Sequence, residues 1–232
     1  MTRLFPLTAA VCFLALAAVA PGAPDDKFIF VDLGPKTNQK RADNFGSGRD
    51  GNDLKAVGKG SRTLAGMNFK LADGVIQLGS DLLGTKKPTK VEGIKVGHTC
   101  AKLHILHATG YGNGSTVGEA GKEGDPLFIA DGTKIAEYKI RYDDGASAII
   151  PVVYGEDVRD WWFTAGAKGV TRGKVAWRGE NELAKSFNCG IRLYLTSWEN
   201  PHPAKKITSI DYTKVGNGPA APFCVAITLE AK

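Results

Sequence analysis

The sequence predicts an all-β protein: a two-sheet antiparallel β-sandwich or jelly roll. Three observations lead there. The 29 glycines and 11 prolines are spread along the 232 residues and cut the chain into short segments, as turns do between many strands. Several segments alternate apolar and polar residues with period two, the mark of a strand with one buried face. The only helix-like stretch, 180–187, is short, so the packed layers have to be sheets.

Taken in order, the chain opens with Met1-Thr2-Arg3, an apolar run over 4–20, small residues, and then Asp25-Asp26-Lys27. That order is the pattern of a secretory signal peptide, and the run is too short for a comfortable membrane span. A leader is expected at 1–23, with one domain over 24–232, secreted or periplasmic after export. No later apolar run is long enough to span a membrane. Strands are expected at 27–33, 67–71, 75–78, 91–96, 102–108, 135–142, 146–153, 174–177, 190–198, 207–212 and 223–229. In 135–142, Tyr138, Ile140 and Tyr142 share a face opposite Glu137, Lys139 and Arg141. In 190–198, Ile191, Leu193 and Leu195 lie opposite Arg192, Tyr194 and Thr196, and Trp198 points away from the Ile191 face. In the last strand Phe223, Val225, Ile227 and Leu229 oppose Cys224, Ala226, Thr228 and Glu230. Asp143-Asp144-Gly145 and Asp131-Gly132 read as turns. The glycine-rich stretches 43–61 and 110–131 read as long loops, which in compact domains are often functional.

Composition removes several function classes. The formal net charge is +6, or +5 once Arg3 leaves with the leader, and the lysines are scattered. A nucleic-acid binder should carry a basic stripe on a recognisable module, and none is present. Cys100, Cys189 and Cys224 remain after cleavage. They fit neither a disulfide framework nor a zinc site. One disulfide with a spare thiol, or three buried thiols, both satisfy the count.

No phosphate-binding loop, dinucleotide-binding glycine motif or nucleophile elbow occurs, so no cofactor is expected. His98, His104 and His107 lie close in sequence, but His104 and His107 fall on opposite faces of their strand, one in the core and one outside. Glu156, Asp157 and Asp160 cluster beside Trp161-Trp162. As a glycosidase pair they would have to face each other across a sugar. As loop acids they are surface charge, or oxygen ligands of a structural calcium ion. Trp162 and Trp198 are the candidate stacking residues, with Asp157, Asp160, Asn200 and His202 as hydrogen-bonding partners, because an indole face plus fixed polar groups suits a pyranose. The plainer reading has each tryptophan capping the core, and at least one of the adjacent pair Trp161 and Trp162 is core.

The segments AEYKIRYDDG at 136–145, IPVVYG at 150–155, Asp160-Trp161-Trp162, VAWRG at 175–179, WENPHP at 198–203, ITSID at 207–211 and PFCVAIT at 222–228 form an ordered set. With VDL at 31–33, MNF at 67–69 and KLHILHA at 102–108, the set resembles a family of secreted bacterial β-sandwich domains with a galactose-binding-like jelly-roll fold. The resemblance spans most of the mature chain. It implies sugar binding by loops at one end of the sandwich, and it supplies no binding-residue motif. The expected function is a non-catalytic binding module for a glycan or cell-envelope polysaccharide. A structural or protein-interaction module is the alternative, and a metal-assisted hydrolase a remote one.

Overall fold

A computed structural model describes residues 27–46, 49–83, 87–114 and 124–231. The expected leader and the middle of the 110–131 loop lie outside the described residues. In chain order the strands are β1 (Phe28–Phe30), β2 (Gln39–Lys40), β3 (Gly60–Leu64), β4 (Met67–Leu71), β5 (Gly74–Gln77), β6 (Lys90–His98) and β7 (Lys102–Gly110). They continue with β8 (Lys134–Tyr142), β9 (Ser147–Val153), β10 (Trp162–Phe163), β11 (Lys174–Gly179), β12 (Gly190–Glu199), β13 (Ile207–Lys214) and β14 (Ala221–Glu230). One helix, α1 (Glu182–Ser186), falls inside the stretch expected to be helical. Strand makes up 50% of the chain and helix 6%, so the all-β class holds.

The larger sheet has eight strands in the order β10-β12-β7-β14-β5-β2, with β1 pairing β14 and β11 pairing β12, and it curls into a half-barrel. A second sheet, β6-β13-β8-β9, packs with it, and β3 and β4 form a separate hairpin. The ladders are antiparallel throughout. The β8–β9 turn forms as its sequence predicts. Gly145 takes φ 84°, a left-handed conformation that suits glycine, and the Ala146 N–H donates to Asp144 Oδ1 at 3.0 Å. Short β2, β3 and β10 lie where no strand was expected.

The sheets meet through aromatic and polar side chains as well as aliphatic ones. Tyr138 of β8 stacks on Tyr212 of β13 with centroids 4.3 Å apart, and its hydroxyl lies 3.4 Å from His107 Nδ1 on β7. Burial drives His107 down to about 4, so its imidazole is neutral at physiological pH. Its Nε2 meets Thr196 Oγ1 at 2.9 Å. His104 contacts Ser197 and Glu230 instead. Both histidines are buried, which differs from the expectation of one outside. His98 is exposed at the end of β6, in the other sheet.

β12 and β14 depart from one-sided burial. Residues 221–229 are all buried, and so are 191–196. Both strands lie inside the sheet, and the β3–β4 hairpin covers the outer side of β14, where Thr228 Oγ1 donates to the Asn68 carbonyl at 2.8 Å. Cys100, Cys189 and Cys224 are free, buried thiols. Burial raises Cys100 to about 11 and Cys224 to about 12, which keeps them protonated and unreactive. Among the described residues no helix is long and apolar enough to cross a membrane.

Candidate functional site

A pocket of about 1020 Å³ opens at the β10 edge of the larger sheet, walled by residues 45–46 and 49–52, by loops 110–114, 127–131 and 159–168 and by α1. Local chemistry builds each wall. Asn181 caps α1 by accepting the Ala184 N–H at 2.7 Å, as asparagine does at helix N-termini. The capped helix sets Leu183 and Phe187 on the rim. The 110–114 wall is tied down by Ile129 N–H to the Gly112 carbonyl at 3.0 Å and Gly114 N–H to the Leu127 carbonyl at 3.2 Å.

Trp162 stands in this pocket and is half-buried. Its indole N–H donates to Asn52 Oδ1 at 3.1 Å, its backbone N–H to Asp160 Oδ1 at 3.0 Å, and its carbonyl accepts from Asn113 Nδ2 at 3.1 Å. Asn113 is held in turn by the Tyr154 hydroxyl, at 3.0 Å. The adjacent Trp161 points the other way, 4% exposed and packed between Phe45 and Phe223. The pair therefore divides into one core indole and one pocket indole.

Asp160 is bonded by the backbone N–H groups of Trp162, Asn113 and Tyr111, joining two walls. Desolvation nevertheless outweighs those bonds and the nearby Arg192 charge, and pushes its carboxyl up to about 7. Arg159 makes a two-pronged pair with Asp131, at 2.8 and 2.7 Å, and this holds Asp131 below the usual carboxylate range.

The other sequence-selected residues lie elsewhere. Asp157 is fully buried; it accepts the Val153 N–H at 2.7 Å and pairs with Arg172 at 2.8 and 2.5 Å, which secures the turn after β9. Trp198 is half-buried on β12, opposite Leu103. It is seven positions beyond Ile191, the partner of Trp162, or roughly 23 Å along a strand. Asn200 is buried, donating to the Cys100 carbonyl and accepting from the Tyr142 hydroxyl at 2.6 Å and the His202 N–H. His202 packs edge-on against Tyr142. The fold thus brings Trp162 and Asp160 together and leaves Trp198, Asn200 and His202 at the far end of β12. Among the described residues no three histidine, cysteine, aspartate or glutamate side chains gather as for a metal ion.

Tyr111, Asn113, Asn52 and Arg192 join the site without having been selected from sequence. Gly112 explains part of the wall's shape. It has φ 128°, and a Cβ there would lie 2.8 Å from Tyr154 Oη and closer still to the ring. Gly112→Ala is expected to cost about 1–3 kcal/mol, read as a lower urea midpoint at unchanged slope. An unchanged midpoint would show that this backbone is free to move off the tyrosine.

Comparisons with protein-family models, curated proteins and solved structures find no match.

Proposed function

We propose that the chain is an exported, non-catalytic binding module for a glycan of the cell envelope or its surroundings, on a jelly-roll sandwich of galactose-binding-like type. The reading rests on one observation: the pocket of about 1020 Å³ presents Trp162, fixed by one hydrogen bond from its indole N–H and two at its backbone, beside polar groups already fixed in place. A sugar needs that combination, an aromatic face for its C–H surface and ordered donors and acceptors for its hydroxyls. Little ordering cost is left to meet on binding. An eight-stranded sheet packed with a four-stranded one, and a pocket walled by loops, support the same fold reading.

The test is a glycan array probed with the mature protein, with calcium and again with chelator, followed by two variants. Trp162→Ala is expected to remain folded and to lose roughly 2 kcal/mol of binding, about 30-fold. Trp198→Ala is expected to bind as the parent does. Equal losses from both variants would contradict this location. A folded parent protein that binds no glycan would favour the interaction-module alternative. A calcium requirement would add an ion to the site, and hydrolysis abolished by chelation would restore the enzyme reading.

A further inference from the structure

Arg192 is the buried cation of the pocket wall whose hydrogen bonding is least complete. It is 2% exposed and lies between the rings of Phe163 and Tyr194, 5.2 and 5.3 Å from their centres. Its Nε donates to the Asp160 carbonyl at 3.2 Å and its Nη1 to the Lys168 carbonyl at a long 3.3 Å, while Nη2 is buried without any partner. A buried charged donor left unpaired is costly, so such groups are normally matched. The contrast with Arg159 is direct, since that guanidinium has a carboxylate across its fork.

A second observation is independent of Arg192's bonding. The described lining carries four cationic side chains, Arg49, Arg159, Lys168 and Arg192, against two acids, Asp131 and Asp160. Asp131 is already paired with Arg159, and Asp160, raised to about 7, carries only part of a negative charge at neutral pH. The pocket is therefore short of negative charge.

We infer that the pocket takes an acidic sugar, and that the Nη1–Nη2 edge of Arg192 binds its carboxylate. This rests on the glycan reading and narrows it to uronate-bearing ligands. A planar carboxylate matches two parallel N–H groups of a guanidinium. Nη2 is sealed in the free protein, and the neighbouring turn 165–169 is exposed. That turn touches Arg192 through the long Lys168 carbonyl bond, which the ligand replaces with a charged partner. Nε keeps its bond to the Asp160 carbonyl, so the plane of the guanidinium is preset.

The experiment measures, by calorimetry, binding of galacturonate, glucuronate and mannuronate trisaccharides, each beside the same trisaccharide with its carboxyls reduced to alcohols, and a sulfated neutral trisaccharide. At least one uronate should bind about 10-fold or more tightly than its reduced form. Arg192→Met should erase that difference. Because a buried variant is open to misfolding, the exposed pair Arg49→Ala and Lys168→Ala is made as well. It should weaken uronate binding and flatten its salt dependence, leaving the reduced sugars unaffected. Equal affinity for uronates and reduced forms overturns the inference while leaving the glycan reading standing. A preference for the sulfated sugar overturns the carboxylate assignment. No binding of any sugar removes the glycan reading itself, and the inference with it.

Discussion

Trp161→Ala is expected to lower stability by about 3–5 kcal/mol, the largest single-residue effect anticipated for this chain. The indole is 4% exposed. Its ring centre lies 5.2 Å from Phe45 and 5.7 Å from Phe223, the latter nearly edge-on at 85°. Phe45 and Phe223 contact each other as well, at 5.4 Å, so alanine opens a cavity inside a three-ring cluster that backbone anchors prevent from collapsing. On one side the Trp161 N–H donates to the Thr109 carbonyl at 2.8 Å, and on the other its carbonyl accepts the Arg192 N–H at 2.7 Å. Urea unfolding monitored by far-ultraviolet circular dichroism measures the effect, as a shifted midpoint with unchanged slope. Trp161→Phe should recover more than half of the loss by refilling most of the volume. Were Trp161→Ala to cost less than Trp162→Ala, the division into core and pocket indoles would be reversed.

That division shows how far the sequence could be read. In β8 the alternation of Tyr138, Ile140 and Tyr142 against Glu137, Lys139 and Arg141 matches the observed burial, because one face of that strand packs and the other meets water. The same rule misplaced Arg192 and Tyr194. β12 is covered on both sides, and a strand buried twice loses the link between polarity and exposure. Arg192 was therefore assigned to solvent, although it reaches the pocket wall. β2 and β10 have two residues each, too few to show any period. Asp157 and Asp160 gave the same local signal, three residues apart. They are separated by what meets them in space, Arg172 and the Val153 N–H for one and the pocket walls for the other. Trp162 was visible because aromatics beside acids stand out locally. Tyr111, Asn113 and Asn52 arrive from loops dozens of residues away and carry no local mark. The Asn200-Pro201-His202 stretch does have a local explanation: Asn200 Oδ1 accepts the His202 N–H at 3.0 Å, an Asx turn of the kind asparagine forms before a chain reversal.

Asp160→Asn should change the pH dependence of stability, and the sign follows from linkage. An aspartate normally titrates near 3.8, whereas in the folded chain Asp160 is raised to about 7. Between those values the folded state holds a proton that the unfolded state has released. Stability from this group is therefore fully present below about pH 4 and is lost as pH rises to about 7, with no further change above. The ceiling is on the order of 4 kcal/mol, reduced in practice because part of the residue meets solvent. His107 opposes this in the parent protein. Its folded value of about 4 lies below the ordinary 6.5, so its contribution grows as pH rises through the same window, and the two slopes partly cancel. His104, also lowered by burial, acts in the same direction as His107. The depressed carboxylates Asp81, Asp131, Asp144, Asp211 and Glu230 matter at lower pH, where they lose stability as acid is added. Comparing variant with parent removes all of these shared contributions. The stability difference, Asp160→Asn minus parent, should rise from pH 4 to 7 and then level off, whatever its starting offset from the altered bonds to Trp162, Asn113 and Tyr111. A difference that stays flat across that range would mean that the carboxylate is ionised in the folded protein at neutral pH. Asp160 would then add a full negative charge to the pocket wall and weaken the case for an acidic ligand.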